Sequence, residues 1–321
     1  MPNRFSPYFS RGTAVMERST AKRIVLCVLA AVVLLGVLIA LLSSPGAEEV
    51  PETQSSPAAE PAAESGEASP APLPATERVP PDVSGEIAAK NVQRRDGFPM
   101  LSWAPDNFSA DSRGRLTYAG ARTLTGIDVS EHQGSIDWSK VAADGVDFAM
   151  IRLGYRGSTQ GQLYLDDYFE RNITGANAAG VPVGVYFYSQ AIDPREAEEE
   201  ARYVLEHLKD HRVDFPVVFD WEIVGGSSAR TYSVSRRTLC RCADAFCGAV
   251  KVQGYKPMIY FTRYLGYRKY ILRELTDYGF WYAEYGDRPR FAFDFDMWQY
   301  SETGQVSGID GDVDLNIWFV R

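Results

Sequence analysis

The sequence predicts an α/β fold, an eight-stranded β/α barrel with helices missing from its last strands, preceded by a transmembrane helix and a disordered linker. Three observations predict it. From residue 126 onward, strand-like apolar runs alternate with amphipathic helical stretches, the pattern of parallel strands joined by right-handed crossovers. Four further strand-like runs are crowded into residues 256–320, with one helix-length segment among them. Ahead of all this lie an uncharged apolar run and a Pro/Ala/Glu/Ser-rich run, neither of which can join the same core.

The N-terminal elements come first. Residues 24–42, "IVLCVLAAVVLLGVLIALL", carry no charge and are about long enough to cross a bilayer. Arg4, Arg11, Arg18, Lys22 and Arg23 precede the run against one acid, Glu17, and no base follows until Arg78. The positive-inside rule therefore makes residues 1–23 a cytoplasmic tail and puts everything after residue 42 outside the cell membrane. The competing reading is a cleaved signal peptide. Its apolar region should span roughly 7–15 residues before a small-residue cleavage site, and no convincing A-x-A follows here. A single-pass anchor is the expectation, with Cys27 as an ordinary apolar residue of the helix.

Residues 43–95 lack the large apolar side chains needed to bury a core and read as a disordered linker. Where such a chain is polyproline-like it extends about 3.1 Å per residue, a reach on the order of 100 Å. Residues 43–86 hold nine acids and one base, and residues 1–42 carry +4. The whole chain is −9, so residues 87–321 retain −5 without any basic block. That argues against nucleic acid and anionic lipid as ligands of the folded part.

Residues 96–124, with "SRGRLTYAGA", read as a lead-in hairpin, and the barrel is expected over 125–321. Strands are expected at 126–130, 147–155, 181–190 and 215–224, and helices at 164–180, 193–211 and 233–254. The 193–211 helix has Asp193 as N-cap, Pro194 in its first turn and acids early. The remaining strands are 256–262, 279–286, 295–301 and 313–320, with a helix-length segment at 263–277. A full β/α unit needs about thirty residues, so the last strands must be joined by short loops. A complete TIM-like barrel averages about 250 residues, and the folded part fits only with helices missing.

Cys240, Cys242 and Cys247 share one predicted helix, with Cys240 and Cys247 roughly 10 Å apart along it, too far for a disulfide. Reduced, buried thiols are expected. His207 and His211 form an i, i+4 pair without HExxH, and His132 stands alone, so no zinc site is expected. Asp310, Asp312 and Asp314 alternate like the start of a calcium loop, but Leu315 occupies the glycine position and no glutamate closes the loop. No metal and no cofactor is expected, and nothing in the sequence specifies an oligomer.

The chemistry is carried by acids. In "VVFDWEIV" (217–224), Asp220 and Glu222 stand two residues apart, on one face of a strand, among apolar neighbours. Burying two like charges side by side is costly. No Lys or Arg lies between Asp214 and Arg230 to neutralise them. Burial and like charge both raise carboxyl pKa values, as protonation of a glycosidic oxygen requires. Barrel enzymes place their chemistry at the C-terminal ends of strands, where Asp128 also falls. Asp314 opens the eighth strand, which looks antiparallel-joined and so presents its start to the same rim. Tyr186, Tyr188, Tyr260, Trp281 and Trp298 lie near strand ends and are expected to floor sugar subsites, since sugar rings stack on aromatic faces.

Three segments, "GIDVSEHQGSIDWSKV", "FPVVFDWE" and "WQYSETGQVSGIDGDVDLN", resemble in order three motifs of glycoside hydrolase family 25, the Chalaropsis-type lysozymes. The resemblance runs from about residue 125 to 321 and suggests a membrane-anchored bacterial member of that family. It implies a barrel with reduced helices that cleaves the β-1,4 bond between N-acetylmuramic acid and N-acetylglucosamine in peptidoglycan. By motif match Glu222 is the acid, Asp220 its partner, and Asp128 and Asp314 support them. "VGVYFYS" departs from the family's tyrosine–histidine–aromatic order, with Phe187 where histidine often sits. The alternatives are a non-catalytic wall-binding module on the same barrel and another N-acetylhexosamine glycosidase. The topology has a direct check. Protease added to intact cells is expected to cut the linker and release the folded part as a soluble fragment. Soluble protein recovered without protease, with its N-terminus beyond Ser43, would identify residues 24–42 as a cleaved signal.

Overall fold

The computed structural model of the chain describes residues 98–224 and 229–321. The tail (1–23), anchor (24–42) and linker (43–95) expected from the sequence lie outside the described residues. Among the described residues no helix is long and apolar enough to cross a membrane.

Strands β1 (Phe108–Ala110) and β2 (Leu116–Tyr118) form an antiparallel hairpin. The barrel is made by β3 (Thr123–Val129), β4 (Phe148–Arg156), β6 (Val183–Ser189), β7 (Val217–Trp221), β8 (Pro257–Thr262), β9 (Gly279–Ala283), β10 (Met297–Gly304) and β11 (Val313–Phe319). Around the ring the order is β3-β11-β10-β9-β8-β7-β6-β4, and β4 pairs back onto β3 to close it. β5 (Leu163–Leu165) adds antiparallel to β4 outside the ring. Every neighbour pair in the ring is parallel except those of β11, which runs antiparallel to both β10 and β3.

Helices α1 (Trp138–Ala143), α2 (Phe169–Ala178), α3 (Pro194–His207), α4 (Arg236–Val252) and α5 (Arg263–Arg268) follow the early strands. No helix joins β9 to β10 or β10 to β11. Asp193 caps α3, accepting from the amides of Arg195 and Glu196, and Ser235 caps α4 through the amide of Thr238. Several boundaries differ from the sequence expectation. The helix expected from 164 starts at Phe169, because Leu163–Leu165 pairs with β4 instead. Helix α1 was not expected; it is only six residues long, too short for a periodic pattern to emerge. The segment 263–277 holds one short helix and a 3₁₀ turn at Leu272–Glu274 rather than a full barrel helix.

Strand alternation sorts the apolar residues into two layers. Phe148, Met150, Val218, Met258, Trp281 and Met297 pack inside the ring, with Phe148 stacked on Phe215 at 4.6 Å between centroids. Val185, Phe187, Phe219, Trp221, Ile259 and Phe261 point outward into the larger core shared with the helices. The interior is narrow enough to need glycine opposite large side chains. A Cβ on Gly126 would lie 2.1 Å from the ring of Phe148, its register partner across β3 and β4. Cys240, Cys242 and Cys247 are free and buried on α4. Burial pushes the Cys240 thiol to about 11 and Cys242 to about 12, so both are inert packing residues.

One buried ion pair ties the helix layer to the ring. Arg156, at the end of β4, donates from Nε to Glu200 of α3 at 2.7 Å, while its Nη1 and Nη2 bind the carbonyls of Gly161 and Glu196. The second oxygen of Glu200 accepts from Ser189, at the end of β6, at 2.6 Å. Both Arg156 and Glu200 are buried, so neither charge has water to turn to. Arg156→Met leaves Glu200 unpaired in the core and is expected to cost about 3–5 kcal/mol of stability, read as a lower midpoint in urea denaturation. The double variant Arg156→Met/Glu200→Leu should recover much of that loss; an Arg156→Met midpoint equal to the parent's would contradict the account.

Candidate active site

The mouth of the barrel holds a cavity of about 220 Å³, bounded by acids from three strands. Barrel closure sets which strand ends meet there. β11 runs against β3, and their register places Asp314 directly opposite Asp128. Along β7, Val218 faces the barrel interior, so Asp220 two residues on faces it too. In register Asp220 lies between Tyr188 of β6 and Tyr260 of β8. β7 ends at Trp221, so Glu222 stands one residue past the strand rather than inside it, and it lines the same cavity. The backbone there is pinned from the neighbouring strand end: the Gln190 amide donates to the Glu222 carbonyl at 3.0 Å, and the Trp221 indole donates to the Ala191 carbonyl at 3.1 Å.

Asp128 is the best-held of the four acids. Its Oδ2 accepts from Gln299 at 2.9 Å and from Asn316 at 2.7 Å. Each amide is oriented in turn: Tyr260 donates its hydroxyl to Gln299 Oε1 at 3.0 Å, and the Trp281 indole donates to Asn316 Oδ1 at 2.9 Å. Burial pushes Asp128 up, against the hydrogen bonds from Asn316, Gln299 and Asp314 that favour its charged form. Asp314 is driven to about 9 by burial, then by the charge of Asp128 and its own hydrogen bond to that carboxylate. It is therefore the protonated member of the Asp128–Asp314 pair at neutral pH.

Asp220 is 4% exposed, and its Oδ1 has no hydrogen-bond partner. Burial raises it well above the usual carboxylate range, the charges of Glu222 and Asp128 raise it further, and Arg152 opposes them. Burial and then Asp128 raise Glu222. The two carboxyls thus keep a proton to pH values at which an isolated carboxyl has lost it.

Tyr186, Tyr188, Tyr260 and Trp281 line the cavity as the sequence suggested. Trp281 is buried edge-on between Tyr260, at 4.9 Å, and Tyr186, at 6.0 Å. Trp298 does not join them. It is fully buried on the outer face of β10, with its indole donating to the Glu284 carbonyl, and its neighbour Gln299 takes the inward position. The barrel strands are apolar on both faces, so "WQYS" alone does not say which residue points in. Phe187, the departure from the family order, also faces outward and does not touch the cavity.

Sequence reasoning missed Arg152, Gln299, Asn316 and Tyr285. Arg152 comes from β4 and is fixed by Asp166 at 2.7 Å and Glu131 at 2.9 Å. It brings positive charge to a pair that has none nearby in sequence. An arginine inside the strand "DFAMIRLGY" was the available signal, since a charge there must face a polar site. His132 lines the cavity beside Arg152. His207 binds the Tyr203 carbonyl and His211 faces Glu170. Among the described residues no group of three or more His, Cys, Asp or Glu side chains is placed so that it could hold a metal ion.

The raised Asp314 has a consequence for stability. Between its ordinary value of 3.8 and its folded value of about 9 the proton is bound only in the folded state, so this group's contribution falls as pH rises through that window. Asp314→Asn abolishes the ionisation and keeps a donor toward Asp128. The variant's Tm is expected to gain on the parent's steadily from about pH 4 to about pH 9. A parent Tm that declines no faster than the variant's over that range would refute the assignment.

Comparison with known proteins agrees with this geometry. Residues 127–309 match the profile of Glycosyl hydrolases family 25. The chain is 31% identical over 201 residues to the uncharacterised protein YegX of Escherichia coli K12, covering 61% of this chain and 70% of that one. It is 31% identical over 204 residues to Lysozyme M1 of Streptomyces globisporus, covering 60% and 67%. Among solved structures it is similar to the modular autolysin LytC of Streptococcus pneumoniae, at 26% identity and a TM-score of 0.54, and it spans 57% of that chain's length. LytC has also been solved in complex with a synthetic peptidoglycan ligand. The ordered motifs and the closed barrel agree with the match: this chain belongs to glycosyl hydrolases family 25 and is a glycoside hydrolase of the lysozyme type.

Proposed function

We propose that the chain is a membrane-tethered N-acetylmuramidase that cuts the β-1,4 bond from N-acetylmuramic acid to N-acetylglucosamine by substrate-assisted catalysis. One observation carries the mechanism: a buried carboxylate oxygen, Asp220 Oδ1, without a partner at the wall of the cavity and two residues from Glu222. The 2-acetamido group of a muramic acid has the N–H to fill that place. A hydrogen bond to the charged form lowers a carboxyl pKa. Substrate binding thus ionises Asp220 and leaves the proton of the pair on Glu222.

The steps follow from that proton. Glu222 protonates the glycosidic oxygen as the bond to the anomeric carbon breaks. The acetamido oxygen attacks the same carbon from the opposite face and closes a charged five-membered ring. Asp220 stabilises that charge through the N–H. Glu222, now ionised, takes a proton from water, which opens the ring with net retention. Asp220 on β7 and Glu222 one residue past its end come from one stretch of chain and line one cavity, so the pair sits on one side of the sugar rather than straddling it. Asp128, held by Gln299 and Asn316, fixes the electrostatic background of Glu222 and Asp220.

The location is part of the proposal. Residues 24–42 would hold the enzyme at the outer face of the membrane, with the acidic linker spanning toward the wall. The single-pass topology and the peptidoglycan partner are supported by the charge asymmetry of the N-terminus and by the peptidoglycan complex of LytC.

The test is the first-formed anomer. Proton NMR of wall fragments cut by the parent is expected to show the β anomer; an α product sinks substrate assistance in favour of direct inversion with Asp128 or Asp314 as base. In the same assay Glu222→Gln is expected to lose about 10²–10⁴-fold or more in rate, since the amide cannot give the proton.

A further inference from the structure

The catalytic cavity is not the only space at this end of the molecule. A groove of about 400 Å³ runs beside it, with Ala110 of the hairpin on one wall and Ser301, Glu302 and Thr303 of β10 on the other. Tyr285 lines both the groove and the cavity, so the two spaces adjoin at its side chain. Glu302 lines the groove, and its charge acts on both Asp314 and the Tyr285 phenol.

The hairpin that makes the groove lies before residue 127, outside the segment that matches the family. It is a firm wall. The Leu116 amide donates to the Tyr300 hydroxyl at 3.2 Å, and Arg115 pairs with Asp144. The Phe108 ring meets Trp298 edge-on at 5.4 Å, and Trp103 stacks on Phe319 at 4.2 Å. Trp298, which does not reach the sugar site, instead supports the hairpin from behind.

Size and chemistry indicate the occupant. The cavity is below the roughly 300–1,000 Å³ of a site that encloses a mid-sized ligand, whereas the groove falls inside that range. The groove offers a half-exposed aromatic ring, hydroxyls from Ser301 and Thr303, and carboxylates. Asp287 is opposed by Arg288 at 3.6 Å, which offsets one of the groove's two carboxylates. Uncharged polyhydroxyl rings fit this mixture, one face on the aromatic and hydroxyls to the polar groups.

We infer that the N-terminal hairpin, β10 and the Tyr285 loop form a distal glycan subsite, adjoining the catalytic cavity at Tyr285, that holds N-acetyl sugars beyond the pair flanking the cut bond. This rests on reading the chain as a peptidoglycan glycan hydrolase. It makes the enzyme prefer long strands to short ones.

The experiment compares kcat/KM of the full-length chain on peptide-free glycan tetrasaccharides and on strands several repeats longer. The parent should favour the long strands. Ala110→Trp and Thr303→Trp fill the groove from opposite walls, and each is expected to lower the long-to-short ratio about 3- to 10-fold. If one variant misfolds it loses both substrates, and the variant on the opposite wall decides. An unchanged ratio in the folded variants overturns the subsite. A loss seen only when the strands carry peptide stems also overturns it, because the groove would then hold the stem. A parent that cuts neither length removes the hydrolase reading and this inference with it.

Discussion

The structure depends on crowding four carboxyl groups into the mouth of one barrel. Asp128, Asp220, Glu222 and Asp314 line a single cavity, and Arg152 is the charge set against them. In water such a cluster would ionise and repel. Here burial and mutual repulsion hold protons on it, which is the condition an acid catalyst needs near neutral pH. Much of the surrounding architecture serves to make that arrangement tolerable. Asp128 is given two amide donors, Asp314 shares a hydrogen bond with it, and Arg152 is itself braced by Asp166 and Glu131. Of the four acids, Asp220 is the one that keeps a buried oxygen without a partner.

The support reaches outward in layers. Tyr260 and Trp281 orient Gln299 and Asn316, and those amides orient Asp128. These aromatics therefore serve twice, as wall of the cavity and as the second ring of hydrogen bonds around its acids. The buried Arg156–Glu200 pair does the corresponding work in the helix layer, joining the ends of β4 and β6 to α3 just below the mouth. Loss of the later helices leaves the β9 and β10 side of the barrel uncovered. The N-terminal hairpin fills that side, through Phe108 on Trp298 and Tyr118 against Phe319. Missing helices and added hairpin together open the groove beside the cavity.

Much was legible from residues alone. The alternation of strands and helices, the crowding of the last strands and the length available point to a barrel with helices missing. The Asp220–Glu222 spacing in an apolar run, without a nearby base, marks the pair as costly and therefore used. These features are local: a period of two or 3.6 and the chemistry of neighbours within a few residues carry them. The chain's own motifs placed Asp128 and Asp314 with the pair. Places near strand ends singled out Tyr186, Tyr188, Tyr260, Trp281 and Trp298 alike, and the first four line the cavity while Trp298 does not.

Tertiary structure decided the rest. Period two says that Trp298 and Gln299 point opposite ways but not which points inward, because both faces of a barrel strand are buried. Closure of the ring, with β11 running against β3, is what sets Asp314 opposite Asp128 and turns two separate acids into a hydrogen-bonded pair. The charge of Arg152 acts on Asp220 from a strand far away in sequence, so it is invisible to any local window. The sequence by itself determined which groups would be expensive to bury. Only the fold decided where their partners come from, because those partners are brought near by barrel closure and not by the chain.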